Sequence, residues 1–234
     1  MGALDQLLQR NVLWRGGSLD ANVDAVASGF ACLDEELPGG GWPRAGLSEL
    51  LTDAEGIGEL ALVLPALARL TGAGKRVIWV GPPHIPYAPA LAAAGLDPVN
   101  LLVVRPASRR EALWASEQAL RAGSCHALAA WLPKVRYAEL QRLSVAAQAS
   151  RAVAWLFRPL AAACESSPAC LRLTLTAAGS DLAVHIVKRR GAPLAAPLHI
   201  PLERPFHVVG RTALSRAGDG SASDARRLGL PIHA

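Results

Sequence analysis

Much that would announce a function is scarce in this chain. Its 234 residues include one methionine, two tyrosines and three phenylalanines, and charged residues make up 18% of it. With 51% hydrophobic residues it can bury a sizeable core, which excludes a disordered chain. No apolar run reaches the ~18 uninterrupted residues that a membrane span needs. The longest candidate, 60–70, is interrupted by Pro65 and Arg69. The first ten residues set Asp5 and Arg10 among leucines, with no small-residue cleavage site. A secretory signal is not expected, and a cytoplasmic location is. The four cysteines form no C-x-x-C pair and the six histidines no H-E-x-x-H arrangement, so no metal site is expected. No G-x-S-x-G elbow supports a hydrolase triad.

The net charge of +5 and pI of 9.4 permit contact with nucleic acid without requiring it. With no base-reading module, any DNA binding is expected to be weak, salt-sensitive and indifferent to sequence.

What is present is an alternation. Apolar runs of strand length at 47–51, 76–80, 101–104, 125–132 and 152–157 are separated by helical patterns at 59–70, 88–94, 108–123 and 137–150. Ser108 with Glu111 forms a capping box for the third of these helices. Strands alternating with helices imply parallel pairing through helical crossovers. Runs that are apolar throughout fit a sheet covered on both faces. After Pro159 the pattern changes to period two at 171–176 and 182–187, an antiparallel hairpin, and 199–209 reads as a last edge strand limited by Pro201 and Pro205. The expected organisation is an N-terminal arm over 1–27, an α/β domain over 28–210 and a flexible basic tail over 211–234. Cys32 and Cys125 read as small core residues.

In such sheets ligands gather at the carboxyl ends of the strands. The loop after the first apolar strand runs Thr52-Asp53-Ala54-Glu55-Gly56-Ile57-Gly58-Glu59, where a phosphate-cradling loop belongs. Gly56 and Gly58 are present, but the lysine for the terminal phosphates and the hydroxyl for magnesium are not. Glu59 and Leu60 stand there instead. Asp53, Glu55 and Glu59 would each repel phosphate, so the loop is expected to cap a helix start and not to hold a nucleotide.

Together with Leu37-Pro38-Gly39-Gly40-Gly41 and the hairpin end Val184-His185-Ile186-Val187-Lys188-Arg189-Arg190, that loop makes residues 28–200 resemble the RecA family. The resemblance implies a RecA-like, mostly parallel sheet flanked by helices with a C-terminal antiparallel hairpin. It also locates two further losses. The glutamate that would activate water falls near Pro83, and the aspartate that would hold magnesium is Trp131. A degenerate site, no cofactor and no catalysis are expected. The segment Pro86-Tyr87-Ala88-Pro89-Ala90-Leu91-Ala92-Ala93-Ala94-Gly95-Leu96, with Val77-Ile78-Trp79-Val80-Gly81-Pro82-Pro83, resembles the ImuA family of translesion-synthesis-associated proteins. Trp131-Leu132 and Phe157-Arg158-Pro159 resemble both ImuA and its relative SulA, the cell-division inhibitor. What the ImuA resemblance implies is an adaptor that binds an ImuB-like polymerase relative, RecA or both. A SulA-like inhibitor of division and a divergent RecA-like ATPase are the alternatives.

The expected partner-binding residues follow from charge and exposure. Arg105, Arg109 and Arg110 cluster between a strand end and a helix start, and Lys188, Arg189 and Arg190 follow the hairpin. By the RecA resemblance, Lys188 and Arg190 reach toward a neighbouring subunit. Leu4, Leu7, Leu8 and Trp14 give the arm an apolar side that needs something to pack on. Trp42, in a glycine-rich loop, reads as a further anchor. Trp79, Trp131, Trp155 and Trp114 read as core, with Trp131 a candidate to fill the nucleotide's space.

Overall fold

The computed structural model describes residues 23–202. The expected tail, 211–234, and the expected arm contacts at Leu4, Leu7, Leu8 and Trp14 lie outside the described residues. An eight-stranded sheet organises the rest. Its parallel strands are β3 (Gly46–Thr52), β4 (Val77–Val80), β5 (Leu101–Val104), β6 (Ala127–Trp131), β7 (Val153–Pro159) and β8 (Leu171–Ala178). Antiparallel β9 (Asp181–Lys188) and β10 (Leu198–Pro201) extend it. The order across the sheet is β10-β9-β8-β3-β7-β6-β4-β5. The α/β class, the parallel sheet and the appended hairpin are as the sequence pattern requires.

Both faces of the sheet are covered, which is why the central strands are apolar throughout. On one face α2 (Leu64–Gly72) packs Ala66, Leu67 and Leu70 into a core that also holds Trp79, Trp155 and Leu173. On the other face α4 (Arg109–Arg121) and α5 (Tyr137–Ser150) cover Leu47, Leu128, Ala154 and Leu156. A four-residue helix, α1 (Ala31–Asp34), and a short alanine-rich helix, α3 (Ala88–Ala93), complete the layers.

Several expectations need adjustment. Residues 23–27 belong to the folded body. Ala25–Val26 forms β1, which pairs with β2 (Trp42–Pro43), and Asp24 sits between Arg44 (3.5 Å) and Arg151 (2.7 Å). The glycines of 39–41 allow this approach. Gly39 has φ +73°, and a Cβ there would stand 2.1 Å from the Val23 carbonyl oxygen, which no side chain tolerates. The helix expected from residue 59 begins at Leu64. Pro65 fixes its first turn, and residues 59–63 form turns closed by Leu62 N–H to the Gly58 carbonyl at 3.1 Å. Ser108 caps α4 as expected, accepting from the Glu111 amide at 3.2 Å, but Glu111 returns the bond to Ala107 and not to Ser108 (2.9 Å). Cys32 is exposed, while Cys125 is buried and burial pushes its thiol up to about 12.

Beneath the carboxyl end of β3 lies a buried ionic triad. Glu49 accepts from Arg158 of β7 (2.9 Å) and from Arg172 of β8 (2.6 Å), and all three side chains are buried. The strand registers dictate this: Glu49 faces Arg172 directly, and Arg158 lies opposite Leu51, two residues along the same face. Arg172 also donates to the carbonyls of Ala162 and Glu165, and Arg158 to the Glu165 carboxylate at 2.7 Å. The triad therefore ties three strands to the 160–170 crossover.

Candidate functional site

The loop after β3 folds back on itself. The Glu59 carboxylate accepts from the Gly56 amide at 2.9 Å and from the Gly58 amide at 3.1 Å. Both glycines have positive φ, +75° and +112°, and that conformation turns backbone N–H groups inward to make an anion-binding concavity. The anion it receives is the chain's own side chain. Ile57 and Leu60 pack on the core and hold the loop down. Thr52, at the end of β3, is engaged with Ala54 at 2.6 Å.

The neighbouring strand ends are closed as well. Trp131, at the end of β6, stacks on Phe157 of β7 with ring centroids 4.6 Å apart and planes 8° from parallel. It also meets Trp79 of β4 edge-on at 5.7 Å. Where the RecA resemblance would place a magnesium-holding carboxylate there is an aromatic stack. Pro83 is exposed, and beside it His84 contacts Glu55 at 3.1 Å, joining the loops after β4 and β3. Gly56, Gly58 and Glu59 are thus brought together, and Trp131 is locked to its neighbours. Among the described residues no group of three or more His, Cys, Asp or Glu could hold a metal ion.

The partner-binding candidates fare unequally. Trp42 is 0% exposed and packs edge-on against Trp155 at 5.7 Å. Its strand pairing with β1 turns the indole inward, so it is a core residue and not a surface anchor. The Arg189 side chain is also largely buried. Its guanidinium donates to the Glu36 carboxylate (2.6 Å), the Glu36 carbonyl (2.5 Å) and the Ala192 carbonyl (2.7 Å), so it joins the hairpin to the loop after α1. Lys188 is exposed and donates to the Ser167 carbonyl at 2.9 Å. Arg190 is exposed and lines a small cleft with Arg44 and Cys170. Because β9 runs antiparallel to β8, with Lys188 opposite Arg172, this turn lies at the amino end of the parallel strands, away from the Glu59 loop.

Arg105, Arg109 and Arg110 are exposed as expected. Arg109 makes a bidentate pair with Glu139, at 2.8 and 3.1 Å, and donates to the Lys134 carbonyl at 3.1 Å. That hydrogen-bonded pair holds the Glu139 carboxyl below its ordinary range and raises the Arg109 guanidinium. Arg110 faces a groove between α4 and α5.

Trp114 was expected in the core and is 64% exposed in that groove. Helix α4 buries Ala112, Ser116, Glu117 and Leu120, a phase set by small residues that leaves the indole on the outer side. A helical wheel phased on Ala112 and Ser116 would have revealed it. Also outside the expectations, Ile85 and Tyr87 are strongly exposed before α3, in a stretch without a charged residue from Val77 to Leu96, and Val99 is exposed just beyond it.

Residues 47–154 match the family model "Cell division inhibitor SulA". That segment runs from β3 to the start of β7 and includes the Glu59 loop, α4 and α5. The SulA of Edwardsiella piscicida is 39% identical over 101 residues, 43% of this chain and 60% of that protein. The RecA of Acholeplasma laidlawii is 29% identical over 49% of this chain and 34% of that protein. The solved SulA of Pseudomonas aeruginosa aligns at 30% identity with a TM-score of 0.42, covering 50% of this chain and 99% of that one. The chain spans about three fifths of the length of the curated SulA and about a third of the RecA it matches. It is SulA-like and related to RecA.

Proposed function

We propose that this chain is a non-catalytic protein of the DNA-damage response that acts by binding other proteins, and that its activity is inhibition of cell division. The observation that carries the absence of catalysis is Glu59. Its carboxylate occupies the amides that would cradle a phosphate, and a bound triphosphate would have to displace it and then face Asp53 and Glu55 as well. A phosphate clamp and a metal anchor each supply orders of magnitude in phosphoryl transfer. The cell-division reading is supported by the SulA match over 47–154 and the SulA relative.

Calorimetry with Mg-ATP tests the first part. No binding tighter than millimolar and no hydrolysis are expected, and a submicromolar Kd overturns it. Overproduction in a rod-shaped bacterium tests the second. Filamentous cells, together with binding to the purified tubulin-like division protein, are expected. Normal division despite soluble accumulation overturns that reading.

One observation favours a second reading, a translesion-synthesis adaptor that binds an ImuB-like protein or RecA. The sheet continues past the SulA-matching segment through β8, β9 and β10, and the uncharged, exposed stretch around α3 is the segment that resembles ImuA. Exposed apolar surface of this kind marks protein contact. Co-purification with an ImuB-like protein and no filamentation would select this reading over the first.

A further inference from the structure

Resting on the reading that the chain works by binding proteins, we propose that the groove between α4 and α5 is a docking site for an acidic amphipathic helix of a partner. The groove has a volume of about 430 Å3. Leu113 and Leu143 give it an apolar lining, and Trp114 stands in it with most of its indole exposed. Arg110 and Arg142 line it as well, and Arg121 lies one helical turn beyond Glu117.

The charges are out of balance. Glu117 is buried, and its one carboxylate is shared by two guanidiniums, those of Arg121 (2.8 Å) and Arg142. Arg110 makes no ion pair among the described residues. Arg109 and Glu139 neutralise each other across the top of the groove. Three guanidiniums, Arg110, Arg121 and Arg142, therefore face one buried carboxylate, an excess of two positive charges on a surface that also displays a tryptophan. Tryptophan and arginine are the residues most enriched where binding energy concentrates. A groove between two helices receives an amphipathic helix through residues at i, i+3, i+4 and i+7. A partner's leucines would seat on Trp114 and Leu113, above the buried Leu143, and its carboxylates would meet Arg110, Arg121 and Arg142.

Other occupants fit less well. A second copy of this chain, docked by a two-fold axis through the groove, would set the same cationic surface against itself. A polynucleotide binds chiefly through many phosphate contacts, and the groove offers it an excess of only two positive charges.

The test is fluorescence anisotropy on the full chain with four labelled probes. These are a Leu/Glu peptide with helical amphipathic spacing, the same composition scrambled, a Leu/Lys counterpart, and oligothymidine. The amphipathic Leu/Glu peptide is expected to bind best. Trp114→Ala and Arg110→Glu should each weaken it by about tenfold or more, while Lys75→Glu, before β4, leaves it unchanged. Circular dichroism and melting should match the parent in all three variants, since these side chains are exposed. Absence of saturable binding by the Leu/Glu peptide overturns the proposal. So does equal binding by the Trp114→Ala variant, or a preference for the scrambled peptide, the Leu/Lys peptide or oligothymidine. The outcome is separable from the proposed function: a Trp114→Ala chain that still causes filamentation removes the groove and leaves the cell-division reading standing.

Discussion

The carboxyl end of the parallel strands and the α4–α5 groove contain the same kinds of side chain, carboxylates, cations and tryptophans, in opposite states. At the strand ends Glu59, Trp131 and Arg158 are each engaged by their own chain. Glu59 fills the amides of its loop, Trp131 stacks on Phe157, and Arg158 is held between Glu49 and Glu165. In the groove Trp114 is left in water, and Arg110 makes no ion pair among the described residues. A polar group satisfied internally has little left to offer a ligand, because displacing its partner costs what the ligand would gain. The place where a RecA-like sheet ordinarily does chemistry is therefore closed, and the outer face of two covering helices is open.

The sharpest way to break that contrast is at the triad beneath the closed end. Glu49→Ala leaves two buried guanidiniums without their shared carboxylate. Removing one partner of a buried ion pair costs about 3–5 kcal/mol, and here two pairs share the partner. A large loss of Tm and of urea midpoint is expected. Replacing all three residues by apolar ones of similar volume should recover much of it, since the pairing offsets a desolvation cost that the apolar core does not carry. A Glu49→Ala chain that melts with the parent would mean that the closed end is not held from below.

Most of this architecture was legible in the sequence because it follows from local pattern. The strand at 101–104 and the helix at 137–150 end where the sequence pattern ends them, and the central strands differ by a residue or two, because a strand buried on both faces has no choice but to be apolar. What was not legible depends on partners far along the chain. Trp42 reads as a loop aromatic until β1 pairs with β2. Arg189 reads as one of three surface cations until Glu36, 153 residues away, is folded beside it. The helix expected at 59 starts late because Glu59 turns back to its own loop and Pro65 sets the first turn. That the loop after β3 carries no lysine was plain from the residues; that the Glu59 carboxylate would accept from the Gly56 and Gly58 amides was not.

A smaller effect is expected at that cradle. Glu59→Ala removes the acceptor for two amides on a partly solvated loop, so the cost should be about 1–2 kcal/mol, read as a modest fall in Tm. Neither this variant nor Glu59→Lys should hydrolyse ATP, because the RecA resemblance puts Trp131 where a metal-holding aspartate would stand and Pro83 near the place of the base. Turnover in Glu59→Lys would show that the strand ends are closed by one residue alone.

The smallest expected effect lies where the two regions meet, at the pair that crosses the top of the groove. Arg109 and Glu139 join the first turns of α4 and α5, and both side chains are partly in water. Glu139→Gln should lower Tm less than Glu59→Ala does, since exposed pairs contribute little, and added salt should shrink the difference further. The pH dependence fixes its origin. The bond to Arg109 holds the Glu139 carboxyl below its ordinary value of 4.5, so the folded chain binds that proton less readily than the unfolded one. The pair's stabilisation is then fully present above the ordinary value and is lost as pH falls through the lowered folded one. The Tm difference between parent and Glu139→Gln should stay level from neutral pH down to about 4.5 and vanish at more acid pH. A difference that widens on acidification would assign Glu139 a role other than pairing with Arg109, and the groove's positive excess would then have to be recounted with Arg109 among its free cations.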